Sequence, residues 1–272
     1  MIRLIATDLD GTLLNDRSAL TPRTIAAVRG AMEAGSKFVI ASGRMYLSTR
    51  PFAQQLDVNA PIIVFNGGMI CDWRDGAPSL KADIPAETAR AVCAMAEARG
   101  VFIQYFPERG FFYDRRDPAV CDEYEARINF VGEETGVPLS RWIDKSAMKL
   151  LALGESASLL ALREEICARF SGLSLMLSHP TYLEIVSAGV DKGNALRVLC
   201  EQLGIAREEV AAFGDADNDL GMLEYAGRGY IMKNAEGPLR SRIALHAPAN
   251  DKDGVAQVLE ELLARGEIGG QA

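Results

Sequence analysis

Histidine is nearly missing from this 272-residue sequence: His179 and His246 are the only two, and they lie far apart in the chain. That scarcity argues against a zinc centre built on imidazoles and against a triad that needs a histidine base. Basic charge is also short. With 29 Lys and Arg against 37 Asp and Glu, the formal net charge of −8 leaves no electrostatic footprint for nucleic acid or for an anionic membrane surface. An anionic small substrate stays open, because a local cation reverses the sign inside a cleft. No Cys-x-x-Cys pair occurs. The five cysteines (Cys71, Cys93, Cys121, Cys167, Cys200) are odd in number and scattered, which reads as reduced packing residues of a cytoplasmic protein. No apolar run approaches the roughly 20 residues of a membrane span. The N-terminus enters its first strand without the basic and apolar regions of a secretory leader, and neither an internal repeat nor a low-complexity segment is visible. What is present, 49% apolar and 24% charged residues, suits a globular chain of one large or two modest domains.

The most informative stretch is Ile5-Ala6-Thr7-Asp8-Leu9-Asp10-Gly11-Thr12-Leu13. Ile2 to Ala6 reads as a short buried strand. Strand alternation sends Asp8 and Asp10 to one side and Leu9 to the other, and Gly11 lets the chain turn. Two like charges this close need a cation, a proton or a positive side chain to offset them. Asp-x-Asp-Gly-Thr after a strand therefore suggests a Mg²⁺ site with one carboxylate free to attack, set against a plain turn built from Asp and Gly.

Thr21-Pro22 opens a helix that Gly35 closes. A strand over 38–41 runs into Ser42-Gly43-Arg44, and another over 62–65 ends in Asn66-Gly67-Gly68. Apolar strands alternating with helices predict an α/β fold with a parallel sheet buried on both faces, whose functional groups collect at the carboxyl ends of the strands. After about Lys81 the pattern becomes hairpins and helices, an α+β unit inserted between two halves of the first. The expected boundaries are 1–81, 82–187 and 188–272. The parallel pattern returns with a helix opened by Asp191-Lys192-Gly193-Asn194, then a strand over 210–213 ending in Gly214-Asp215-Ala216-Asp217-Asn218-Asp219. A final strand over 229–232 precedes Lys233-Asn234-Ala235, a last helix covers 254–264, and 266–272 is expected to fray.

Asp8, Asp10, Ser42, Lys192, Asp215 and Asp219 form the set a phosphoryl-transfer site needs: acidic ligands for a hard cation, a cation and a hydroxyl for the phosphoryl oxygens, and a carboxylate nucleophile. Lys192 stands at a helix N-terminus, where the dipole disfavours a cation, and that placement leans towards a functional role. Ser42-Gly43 alone is as readily a turn, and Asp217 is most simply a helix cap. Phe111, Phe112 and Tyr113 read as hairpin packing.

Asp8-Leu9-Asp10-Gly11-Thr12-Leu13, Ala41-Ser42-Gly43-Arg44, Asp191-Lys192-Gly193 and Gly214-Asp215-x-x-Asn218-Asp219 resemble the four ordered motifs of the haloacid dehalogenase superfamily, most closely its Cof-type phosphatases. Asn66-Gly67-Gly68 and the segment from Asn250 to Ala256 are also similar to that group. The resemblance implies a Rossmann-like core with an inserted C2-type cap. It implies a Mg²⁺-dependent phosphatase acting through an aspartyl-phosphate on a small phosphorylated metabolite. Asp8 would then attack phosphorus, Asp10 would act as acid and base, and Ser42 and Lys192 would hold the phosphoryl oxygens. Mg²⁺ would lie on Asp8, Asp215 and the carbonyl of Asp10, with Asp219 as ligand or support. Thr12, Gly43, Arg44, Asn66, Gly67 and Asn218 would contact phosphate or substrate. Lys233 departs from the glycine usual before Asn-Ala. A phosphomutase of the same fold and a non-catalytic phospho-receiver are the alternatives; Asp10 disfavours a dehalogenase.

Overall fold

The computed structural model describes residues 1–269, apart from the side chains of Ser178 and His179. In chain order its elements are β1 Leu4–Thr7, α1 Pro22–Glu33, β2 Lys37–Ile40, α2 Tyr46–Leu56, β3 Ile62–Val64, β4 Met69–Cys71 and β5 Pro78–Lys81. There follow α3 Ala86–Ala98, β6 Phe102–Phe106, β7 Phe112–Tyr113, α4 Pro118–Ile128, β8 Glu133–Glu134, α5 Leu139–Trp142, β9 Lys149–Leu153 and α6 Ser156–Arg169. The chain ends with β10 Leu173–His179, β11 Tyr182–Ser187, α7 Lys192–Leu203, β12 Val210–Gly214, α8 Leu220–Tyr225, β13 Arg228–Met232, α9 Gly237–Arg240, β14 Leu245–Ala247 and α10 Gly254–Ala264. These divide into two compact units. One comprises Met1–Gly43, Thr49–Leu80 and the chain from Asp191 onward; the other comprises Arg44–Ser48 and Lys81–Val190.

The first unit is built on a parallel sheet in the order β14-β13-β12-β1-β2. All four residues of β1 are buried, so the strand shows no polar face, as expected where helices cover both sides of a sheet. Leu4 sits between Val210 and Lys37, which makes β1 the neighbour of both β12 and β2. Two expectations fail here. The 62–65 segment does not extend the parallel sheet as a full strand: a single parallel bridge joins Ala41 to Ile63, and β3 pairs antiparallel with β4. The cause is local. Phe65, Asn66 and Gly67 all have positive φ (54°, 57° and 100°), which reverses the chain. The strand over 229–232 is not the last, since β14 follows it in parallel; with two of its three residues exposed, β14 carries little hydrophobic signal. At the C-terminus Ile268 bridges Ile2, so the chain is paired up to that point, while Gly270 to Ala272 lie outside the described residues.

Helix ends follow their sequence signals. Thr21 accepts a hydrogen bond from Thr24 N at 3.1 Å to cap α1, and Asp191 accepts one from Asn194 N at 2.8 Å to cap α7. Gly204 closes α7 at φ 63°. Within α7, a Cβ added at Gly193 would collide with the Gly221 backbone carbonyl, so only glycine allows this approach of α7 to α8. Gly193→Ala is expected to cost about 1–3 kcal/mol or more in urea unfolding. Gly237→Ala, where an added Cβ meets nothing within 4 Å, should change stability far less.

The second unit is a sheet in the order β10-β11-β9-β6-β7-β8, antiparallel except for the short β7–β8 pair. One face packs on α3 and α6 through Ile103, Tyr105, Leu150, Ala152, Leu183 and Ile185. Phe111 and Tyr113 are buried packing residues, with Phe111 stacked on Phe106 at 4.9 Å. Four cysteines are buried, but Cys167 is exposed and is no packing residue. Leu159, Leu162 and Ile166 define the inward face of α6, and Cys167 lies one residue beyond it, about 100° around the helix.

Candidate active site

After β1 the chain makes a wide turn: Leu13 N donates to Asp8 O at 3.3 Å and Leu14 N to Leu9 O at 2.9 Å. Gly11 is at φ 74°, and a Cβ there would also collide with the Asp215 carboxylate. Glycine at this position thus serves both the turn and the approach of Asp215. Asp215 arrives from β12, the strand beside β1, and the junction is sealed by Asp8 N donating to Phe213 O at 3.0 Å. Thr12 Oγ1 donates to Asp215 Oδ1 at 2.6 Å, so its hydroxyl orients this carboxylate.

Lys192 is fully buried, and its Nζ donates to Asp8 Oδ1 at 2.7 Å and to Asp219 Oδ1 at 2.6 Å. The other Asp219 oxygen accepts the backbone N–H groups of Asp215 at 2.9 Å and Ala216 at 3.0 Å. Asp8, Asp215 and Asp219 each offer a carboxylate oxygen within 4.8 Å of the others. Burial pushes the Asp8 carboxyl well above the usual carboxylate range; Lys192 opposes this, while Asp219, Asp215 and Asp10 add to it. Asp215 is pushed up to about 6, by burial first and then by Asp219, with the Thr12 hydrogen bond acting the other way. Burial would depress Lys192, but Asp219 and Asp8 more than offset it, and its pKa is raised. One ammonium against three carboxylates leaves excess negative charge, and hard oxygen donors this close fit a divalent hard cation.

Ser42, buried just beyond β2, donates its N–H to Ile63 O at 2.9 Å, and its carbonyl accepts Asn66 N at 3.0 Å. Asn218 Nδ2 donates to Asn66 Oδ1 at 2.9 Å. A Cβ on Gly43 would stand 2.7 Å from Asn66 Oδ1, and one on Gly67 would collide with Asp191 O. The fold therefore brings Ser42, Gly43, Asn66, Gly67 and Asn218 into one loop cluster against the start of α7. Arg44 is placed differently: it belongs to the second unit, where its guanidinium donates to Arg127 O at 3.0 Å. Asp217 and Lys233 are exposed.

Sequence reasoning assigned no role to two asparagines. Asn234 Nδ2 donates to Gly11 O at 2.8 Å, and Asn234 Oδ1 accepts Asn250 N at 3.1 Å. Asn250 Nδ2 donates to Leu14 O at 3.0 Å. Together they clamp the Asp8–Leu14 turn. The available signal was position: Asn234 follows β13 and Asn250 follows β14, at the same strand ends as the acidic cluster.

The sequence and the fold are similar to those of known proteins. The HMP-PP phosphatase of Yersinia pseudotuberculosis is 30% identical over 89% of this chain and 88% of its own. The 5-amino-6-(5-phospho-D-ribitylamino)uracil phosphatase of Bacillus subtilis is 27% identical over 95% of this chain and 96% of its own. Among solved structures, a haloacid dehalogenase-like hydrolase from Bacteroides thetaiotaomicron superposes with a TM-score of 0.89 at 30% identity, covering 96% of this chain and all of that one. Residues 5–259 match the haloacid dehalogenase-like hydrolase family, a span that holds both the acidic cluster and the loops around it. The chain belongs to that family.

Proposed function

We propose that this protein is a Mg²⁺-dependent phosphatase that hydrolyses phosphate monoesters of small metabolites through an aspartyl-phosphate on Asp8. The observation that carries the reading is the buried Asp8–Lys192–Asp219 chain with Asp215 beside it, at the carboxyl ends of β1 and β12. The two relatives described above are both phosphatases, which supports the reaction class.

In this reading an Asp8 oxygen attacks phosphorus, the bond to the leaving oxygen breaks, and Asp10 supplies the proton that oxygen takes up. Water then attacks the phosphorus, Asp10 removes its proton, and phosphate departs as Asp8 regains its carboxylate. Lys192 holds Asp8 in place and offers charge to the phosphoryl oxygens, joined by the Ser42 hydroxyl. Asp8 and Asp215, with the carbonyl of Asp10, would hold Mg²⁺, which when bound offsets the crowded carboxylates and draws charge from the phosphoryl group. Asp219 has one oxygen taken by two N–H groups and the other by Lys192, which suits a positioning role better than a full ligand. The second unit interrupts the chain of the first, and we read it as the C2-type cap that selects the leaving group.

The test is phosphate release from a panel of phosphate monoesters. Release is expected with Mg²⁺ and should fall to background with EDTA; release that ignores the chelator would end the metal assignment. Excising residues 82–187 with a short linker should broaden or destroy selectivity, and an unchanged ranking would remove that role from the second unit.

A further inference from the structure

The sheet of the second unit ends in two unlike edges. At one, β8 is two residues long, and both are exposed glutamates, Glu133 and Glu134. Short length and like charge are common protections of a strand edge against pairing with another chain. At the other edge β10 runs for seven residues, Leu173-Ser174-Leu175-Met176-Leu177-Ser178-His179, with no lysine, carboxylate, proline or glycine among them. Among the described residues no strand pairs with its outer side.

Register decides which backbone groups that side presents. Ser174 lies opposite Val186 and Met176 opposite Glu184, and at the end of the same ladder Ala188 N donates to Gly172 O at 2.9 Å. Bonded and non-bonded pairs alternate along an antiparallel ladder. Ser174 and Met176 therefore bond to β11 as Gly172 does, and the N–H and C=O groups of Leu173, Leu175 and Leu177 point outward. The register shift in this ladder falls after Leu177 and leaves Leu173 to Leu177 regular.

Two further features say which strand fits this edge. Ser174-Leu175-Met176-Leu177-Ser178 reads the same in both directions, so an antiparallel copy of β10 sets like residues against like. Leu160 on α6 and Leu177 on β10 are both exposed. Leu160 precedes the end of α6 by nine residues and Leu177 follows the start of β10 by four. At 1.5 Å per helical residue and 3.3 Å per strand residue, each lies about 13 Å from the turn that joins the two elements. Apolar surface is thus exposed on helix and strand at one level beside the open edge.

We infer that β10 pairs antiparallel with β10 of a second copy of this chain, about a two-fold axis through Met176. Two six-stranded sheets then join into one. Leu175 of each copy exchanges both main-chain hydrogen bonds with Leu177 of the other. Met176 faces Met176 as a non-bonded pair, with Cα atoms about 4.5 Å apart. One strand pair with its flanking leucines makes a small interface, so the dimer dissociates on the order of micromolar concentration. It is independent of the phosphatase reading.

Sedimentation velocity of the full-length protein, over about a hundredfold range of concentration, should show a monomer–dimer equilibrium. Leu177→Pro removes an outward N–H and leaves the ladder to β11 whole. The monomer should then melt close to the wild type while dimerisation weakens at least about tenfold. If that variant does not fold, Leu177→Lys sets a charge on each side of the axis and should weaken the dimer likewise, most at low salt. In a Cys167→Ser background the remaining cysteines are buried. There Met176→Cys should oxidise to a disulfide-linked dimer, because a facing non-bonded pair has the Cα separation a disulfide needs. Ser174→Cys should not, since its two copies are offset along the strands. A wild type that stays monomeric over the whole range overturns the inference, as does a dimer that both Leu177 variants leave intact. Cross-linking through Ser174→Cys in preference to Met176→Cys overturns the axis.

Discussion

Asp8→Asn is expected to lower Mg²⁺-dependent phosphate release by at least about 10³-fold, the scale seen when a covalent nucleophile is removed. Asparagine has the shape of aspartate and keeps an oxygen that can accept from Lys192, so the loss isolates nucleophilicity from packing. Stability should move little or rise. The Asp8 carboxyl sits well above its usual range because burial, with Asp219, Asp215 and Asp10, disfavours its charge. A neutral amide removes that penalty while giving up the charge-assisted contact to Lys192 at 2.7 Å. Parallel melts of the two proteins separate chemistry from folding. Full activity in the variant would show that Asp8 is not the nucleophile. If the wild type releases no phosphate but labels on Asp8 with a phosphoryl donor, the receiver reading takes its place.

Lys192→Met should carry the largest stability cost of any single substitution considered for this chain, about 3–5 kcal/mol by urea unfolding. Methionine fills much of the same volume, so the cost comes from charge. Lys192 and Asp219 are fully buried and Asp8 nearly so, and removing the ammonium leaves two buried carboxylates facing each other. Adding Asp219→Asn to Lys192→Met should recover part of the loss, and the double-mutant cycle gives the coupling between them. A loss below about 1 kcal/mol, the ordinary range of an exposed pair, would mean that the buried ammonium does little to hold these two side chains together. Activity should fall as well, since the same ammonium both holds Asp8 and serves the phosphoryl oxygens in the proposed reaction.

Much of the fold is legible because its signals are local. Thr21-Pro22 and Asp191 mark helix starts, Gly35 and Gly204 mark ends, and uninterrupted apolar runs such as Val210 to Phe213 mark strands covered on both sides. What escaped prediction has weak local signal. The Glu133–Glu134 strand is exposed and two residues long, and β14 is three residues with one buried. The reversal at Phe65 rests on backbone angles that a phenylalanine seldom adopts, so nothing in its chemistry announces it.

By itself the sequence determined the α/β alternation, the helix caps and the placing of acidic and polar motifs at strand ends, because each depends on neighbours within a few residues. Only the tertiary structure decided which of those groups touch. Thr12 meets Asp215 across 203 residues and Lys192 meets Asp8 across 184, contacts that exist because β12 pairs beside β1 and α7 follows a long excursion. The clamp of Asn234 and Asn250 on the Asp8 turn and the place of Arg44 in the second unit are of the same kind. Local periodicity says which side of an element a residue faces. Which side chain it meets there depends on sheet order and register, which pairing between distant segments sets.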